Sequence, residues 1–320
     1  YIEHAITVEQ ESGVYTAYER GPAIYDYDVT FAGVSPYLHL EAAPVERLRL
    51  TAGVRYDRLA YDYANHLGAL ETGPHRRPES RRVAYSAASP KAGATFALGQ
   101  ATSLFASYSR GFRAPSQGQL FRQGVAENTV GLEPVVAINH EAGLRGLIGR
   151  RASYQLSVYR MRKEDDILTY QRADETRETQ NAGATLHQGV EAGVALDLLA
   201  GLRLDVGFAY ARHRYEAWRP AGDVEYDGNE MESAPRTLGN AALTYRPSFA
   251  EGASLALEWS HLGAYWLNPE NTERYGGHDL LDARATWPIG DRLSLFARVT
   301  NLTDRRYADH GGWSPFRGRE

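Results

Sequence analysis

The residues of this chain best equipped to bind something sit in its polar stretches, where arginines and aromatic rings occur together. They are Tyr61, Tyr63 and Arg76; Arg113 and Arg122; Tyr170; Trp218 and Tyr226; and Trp266 and Tyr275, with Arg172 and Trp313 extending the pattern. A guanidinium stays charged at any accessible pH and a flat ring stacks, so the set suits an anionic ligand with flat faces. Tyr and Trp near strand ends have a second use, anchoring a sheet at lipid headgroups, and taken singly each residue admits either reading. Catalytic frames are missing: there is no G-x-S-x-G elbow, no P-loop and no recognisable carboxylate pair, so no enzyme is predicted. The chain has ten His, none of them paired at i,i+2 or i,i+4, and no Cys, so neither a metal site nor a disulfide frame is predicted.

The elements that must position these residues are strands. In RLRLTAGVRYD, Leu48, Leu50, Ala52, Val54 and Tyr56 oppose Arg49, Thr51, Gly53, Arg55 and Asp57. In GLRLDVGFAY, Leu202, Leu204, Val206, Phe208 and Tyr210 oppose Arg203, Asp205, Gly207 and Ala209. Successive side chains of a strand point to opposite faces, so each segment has one apolar and one polar face. The same period recurs in SYQLSVY, QGVEAGVALDLL, ASLALEWS, LLDARATW and RLSLFARV, about a dozen segments in all, while helical spacing is nowhere sustained.

Connections between these segments alternate in length. The stretches YDYANHLGALETGPHRRPESRR, GFRAPSQGQLFRQGVAENTVGLEP, KEDDILTYQRADETRETQNAG, the segment around Arg214 to Pro235, and YWLNPENTERYGG read as long loops. Between them LGQ, IGRR, LAG, PSFAEG and PIGD read as short turns. Long loops at one end and tight turns at the other are the habit of outer-membrane barrels, whereas loops beyond about 12 to 15 residues are uncommon in soluble domains. The polar faces carry Gly, Ala and Ser as often as charge, and Lys is almost absent, unlike a soluble β-protein exterior. The apolar faces are therefore expected to meet lipid.

Composition sets outer bounds. A net charge of −5, from 35 basic and 40 acidic residues well mixed along the chain, gives no nucleic-acid footprint. No run of about 18 apolar residues occurs, which excludes a transmembrane helix but not a barrel strand. The first residues, YIEHAITVEQ, show no signal-peptide pattern.

Three segments resemble the TonB-dependent outer-membrane receptors. SLFASYSRGFRAP at 103–115 is similar to the family's strand ending in a Gly-Phe-Arg-Ala-Pro corner and is followed by GLEP at 131–134 and EAGLRG at 141–146. NAG at 181–183 precedes QGVEAGV at 188–194, and RVTNLTDRRYA resembles the penultimate hairpin of the barrel. The corner itself, Gly111 to Pro115, reads mainly as structural, because Pro ends strand pairing.

The resemblance implies an all-β, transmembrane, antiparallel up-and-down barrel. The family barrel has about 22 strands, of which roughly 12 to 14 are expected in this chain. It implies that residues 1–320 are a partial barrel domain whose plug and final strand lie elsewhere. It also implies a bacterial outer-membrane location, no cofactor, and a ligand that is a ferric siderophore or similar metal complex. Partners would be outer-membrane lipids and the TonB complex, the latter through the plug. The loop residues named first become the expected ligand contacts. Between residues 116 and 139 no His occurs, which argues against haem. The alternatives are a passive porin or adhesin barrel and, further off, a secreted soluble β-protein.

Overall fold

The computed structural model describes residues 2–7, 10–11, 14–15, 19–126, 128–171, 176–221, 223–290, 292–308 and 315–316. Its main feature is one antiparallel 14-stranded sheet. In chain order the strands are β1 (Ile2–Thr7), β2 (Glu19–Val34), β3 (Tyr37–Val45), β4 (Leu48–Asn65), β5 (Arg81–Ala97), β6 (Thr102–Arg113), β7 (Val135–Ile148), β8 (Ala152–Gln171), β9 (Arg177–Leu199), β10 (Leu202–Ala217), β11 (Thr237–Tyr245), β12 (Ser254–Leu262), β13 (His278–Ile289) and β14 (Leu293–Val299). Each pairs with its neighbour in sequence, apart from β2 and β3, which both pair with β4. Those two are one strand in effect. Their register against β4 carries on across the break, with Val34 opposite Arg58 and Tyr37 opposite Arg55. The break falls at Pro36, which has no N–H to give the ladder, although its carbonyl still accepts from Tyr56 N at 3.0 Å.

The predicted alternation decides the two faces. Ladder partners share a face, so Leu104, Leu144, Leu156, Ala192 and Phe208 form one outward row and Ala106, Ala142, Val158, Val190 and Tyr210 the next. These side chains stay open: Leu50 is 39% exposed, Leu156 46% and Leu257 42%. Among the described residues no second layer packs on them. The opposite face carries the ion pairs Arg55–Asp57 and Arg284–Glu258. A sheet with an uncovered greasy face and a charged inner one is the barrel-wall pattern. The two ends of the sheet, β1 and β14, do not pair with each other.

Turns at one end are short, residues 98–101, 149–151, 200–201 and 290–292. At 200–201 the geometry demands glycine: Gly201 has φ +76°, and a Cβ there would stand 2.1 Å from the Arg246 carbonyl oxygen. The other end carries 66–80, 114–134, 218–236 and 263–277, as expected. One expected long loop is different. β8 runs on through KEDDILTYQ for 20 residues and β9 begins at Arg177 and runs for 23, leaving a connection at 172–176. Beyond the part that could cross a membrane, which needs only about 9 to 11 residues, a strand is released from the apolar-polar alternation. Its ladder is held by backbone pairing and by contacts such as Thr169 Oγ1 to Thr179 Oγ1 at 3.2 Å.

Candidate functional site

The loop end holds two aromatic clusters. The first is built by residues 114–134, which fold back over the inner face of β2, β4 and β5. Pro115 ends β6, Ser116 caps a short helix α1 (Gln117–Phe121) through a reciprocal bond with Gln119, and the helix drives Leu120 and Phe121 fully out of water. The Phe121 ring lies parallel to Tyr63 at 4.2 Å, with Tyr27 at 5.2 Å from Tyr63. Tyr85 Oη donates to the Leu132 carbonyl at 2.9 Å, and Arg122 Nε to Tyr27 Oη at 3.1 Å.

Five of the predicted contact residues gather here, namely Tyr61, Tyr63, Arg76, Arg113 and Arg122. Their work is largely internal. Tyr63 is 3% exposed. Arg113 Nη1 donates to Gln119 Oε1 at 3.3 Å, and the Arg76 backbone N–H bonds Gly124 O at 2.9 Å. The Gly-Phe-Arg-Ala-Pro corner thus launches the loop that packs this cluster.

The second cluster joins Tyr170, Tyr215, Trp218 and Tyr226 across the β8–β9 hairpin, the end of β10 and residues 218–236. Trp218 and Tyr226 lie 5.0 Å apart, centroid to centroid. Each buried phenol gives its proton to a carboxylate, Tyr215 to Glu232 and Tyr226 to Glu270. Burial, and then the neighbouring Glu270, push the Tyr226 hydroxyl well above its ordinary pKa. Loops 218–236 and 263–277 are locked by a reciprocal pair: Glu230 N donates to Asn271 Oδ1 and Asn271 Nδ2 returns to Glu230 O, both at 2.8 Å. Asn271 takes the left-handed φ of 58° that Asn tolerates.

Beside this cluster opens a cleft of about 480 Å³ whose lining includes Tyr170, Arg177, Trp218, Glu232, Asn268 and Glu270. It brings together aromatic surface, two carboxylates and a guanidinium. The Trp218 Nε1 is buried with no acceptor among the described residues. Of the predicted residues, Tyr170, Trp218 and Tyr226 meet here. Trp266 and Tyr275 stand apart on a two-residue ladder, with Arg274 over the Trp266 ring at 5.6 Å and Tyr275 Oη 2.7 Å from His278 Nδ1. Arg172 and Trp313 lie outside the described residues.

Sequence reasoning missed Tyr27 and Tyr215, Arg177, and the carboxylates Glu232 and Glu270. The alternation in AIYDYDV was a usable signal for Tyr27, but nothing local marks a Glu that will meet a Tyr from another strand. It also missed a chain of polar groups on the inner face of β8–β10. Lys163 Nζ lies 3.3 Å from Asp166 Oδ2, Thr185 Oγ1 3.1 Å from the same oxygen, His187 Nε2 3.1 Å from Thr185 Oγ1, and His213 Nδ1 2.8 Å from His187 Nδ1. Among the described residues there is no group of three or more His, Cys, Asp or Glu placed to hold a metal ion.

Comparison with known proteins places this architecture. Residues 7–302 match the family model described as TonB dependent receptor-like, beta-barrel. The metal-pseudopaline receptor CntO of Pseudomonas aeruginosa is 24% identical over 266 residues, 82% of this chain and 35% of that protein. The pesticin receptor of Yersinia pestis is 26% identical over 190 residues, 57% of this chain and 27% of that protein. Among solved structures, the copper transporter OprC superposes with a TM-score of 0.75 at 19% identity, over 98% of this chain and 50% of that one. The siderophore receptor PiuA from Acinetobacter baumannii gives 0.73 at 18% identity, over 95% and 43%. The chain spans about a third of the length of the first of these relatives and about half that of the solved structures. The similar proteins are receptors and transporters, not enzymes.

Proposed function

The chain belongs to the TonB-dependent receptor family through its β-barrel, and from that premise we propose that it forms part of an outer-membrane importer for a metal complex. Receptors of this family sit in the outer membrane of Gram-negative bacteria. The uncovered apolar rows are read as the lipid-facing band, and the long loops as the extracellular end. The observation that carries a ligand-binding role is the cleft by Trp218, where flat surface and charges of both signs meet beside an indole whose buried N–H has no acceptor among the described residues. A metal chelate offers the complementary features: flat donor groups, ionised arms and oxygen acceptors. Energy for release would come from the TonB complex acting on a plug that the barrel encloses. A ferric siderophore is the leading ligand class. The passive porin or adhesin reading is not favoured, because the family match covers nearly the whole chain.

The test is binding and uptake by the full-length protein. Titrating it with ferric siderophores and other metal chelates should quench loop tryptophan fluorescence for one class, and cells lacking TonB should fail to import that chelate. Import that persists without TonB would leave the passive barrel standing.

A further inference from the structure

Charges in the loops beside the Trp218 cleft are mostly matched. Glu230 pairs with Arg212 and Arg236, and Glu225 and Asp227 both pair with Arg219. Three charged groups that line the cleft break this pattern. Glu232 accepts from the Tyr215 phenol through Oε2 and Glu270 from the Tyr226 phenol through Oε1. Neither carboxylate has a cationic partner among the described residues, and the second oxygen of each accepts no hydrogen bond there. Arg177 is exposed, and its guanidinium has no hydrogen bond or ion pair among the described residues. The opposite signs therefore share one cleft without neutralising each other.

Resting on the reading of this cleft as a chelate site, we propose that it selects a chelate with a zwitterionic end, a free ammonium beside a free carboxylate. Glu232 and Glu270 take the ammonium and Arg177 takes the carboxylate. The acids are prepared for that task. Each phenol fixes its carboxylate through one oxygen, and the lone pairs left over stay open to a donor. A carboxylate already held in place loses little further freedom on capturing a cation, which removes the usual ordering cost of a flexible Glu. Tyr170 and Trp218 add ring surface to the same lining, and a ring face attracts an ammonium through its quadrupole. Arg177 supplies a planar fork that matches a carboxylate in two parallel bonds. The balance of charge also discriminates. Two carboxylates against one guanidinium in the described lining repel a chelate that is anionic all round, so the cleft narrows the anionic ligand class that the arginine-rich loops alone suit.

The experiment titrates the full-length receptor in detergent with four ferric complexes that share one iron centre. Ferrioxamine B is acylated on its terminal amine with a β-aspartyl, β-alanyl, succinyl or propionyl group. The end then carries both charges, the ammonium alone, the carboxylate alone or neither. A hydrogen-bonded contact to a charged group is worth about tenfold in affinity, so the β-aspartyl complex should bind about tenfold tighter than the succinyl and the β-alanyl complexes alike. Glu232→Gln with Glu270→Gln should abolish its advantage over the succinyl complex and keep its advantage over the β-alanyl one. Arg177→Gln should do the reverse. Each comparison is made within one protein, so a general loss of affinity does not imitate the result, and if the variants do not fold the wild-type ranking of the four complexes decides. A wild type that binds none of the four, or binds the propionyl complex as tightly as the β-aspartyl one, overturns the proposal, as do variants that keep both advantages. In that event, uptake of another ferric chelate by cells with TonB and its loss in cells without it would leave the importer reading standing.

Discussion

His187 Nδ1 lies 2.8 Å from His213 Nδ1 on the inner wall of the sheet, and with both rings neutral the surrounding bonds leave one arrangement of protons. The Asp166 carboxylate can only accept, so the single proton of the Thr185 hydroxyl goes to it. That hydroxyl must then accept from His187 Nε2–H. His187 is thereby left bare at Nδ1, and His213 must donate its own Nδ1–H. Four side chains from three strands are fixed by one carboxylate whose other contact is Lys163. Truncating His213 to Ala should strand the buried His187 nitrogen and cost about 1 to 3 kcal/mol. His213→Asn, whose side-chain amide can donate from nearly the same place, should recover most of that loss. Denaturant unfolding of the full-length receptor in detergent would compare the two, and equal destabilisation would contradict the assigned protons.

Trp218 offers a prediction of the opposite sign. Its indole N–H is buried with no acceptor among the described residues, a cost carried by the unliganded protein. Trp218→Phe keeps an aromatic ring and removes the orphan donor, so unliganded stability should hold or rise by up to about 1 kcal/mol. Affinity for the chelate should fall by about tenfold, the worth of one hydrogen bond to a charged group. Calorimetric titration beside thermal unfolding separates the effects; unchanged affinity would remove Trp218 from the ligand's contacts.

What could be read from sequence follows from what repeats. The period of two is imposed on every membrane-level residue pair, so rows such as Leu156 and Val158 announce themselves, and so does the wall they build. Beyond the membrane that constraint lapses. Residues 163–171 and 177–183 extend a hairpin with no apolar face to betray it, and they were legible only as polar loop. Loop aromatics could be recognised by type, yet their sorting into two clusters depends on where 114–134 and 218–236 fold, which no local spacing encodes. Tyr63 and Trp218 looked alike in sequence; one is stacked under Phe121, and the other lines a cleft.

Phe121 is the keystone of the first cluster, fully buried at the end of a helix of five residues that cannot persist alone. Phe121→Ala removes the ring that stacks on Tyr63 and should cost about 3 to 5 kcal/mol. The wall does not depend on this loop, so the loss should appear as local opening. Limited proteolysis within 114–134 should become fast while the sheet's far-UV circular dichroism is kept. Resistance equal to wild type would mean that the loop is held by Leu120 and Thr129 without it.

The lock between the loops beside the cleft should respond to acid. Burial raises the Glu230 carboxyl, but Arg236 and Arg212 outweigh it and hold its pKa below the ordinary 4.5. A depressed carboxylate pKa adds stability that is fully present above the unfolded value and is lost as pH falls through the folded one. The Glu230 contribution is therefore intact at neutral pH and fades below about pH 4.5. Protonation weakens its pairing with both arginines, and the loop that exchanges backbone bonds with Asn271 loosens with it. Hydrogen exchange at the Glu230 amide, corrected for its intrinsic pH dependence, should speed up over that acid range in the wild type. In Glu230→Gln it should already be faster at neutral pH and show little further change. A variant that keeps the acid-induced step would assign it to another carboxylate.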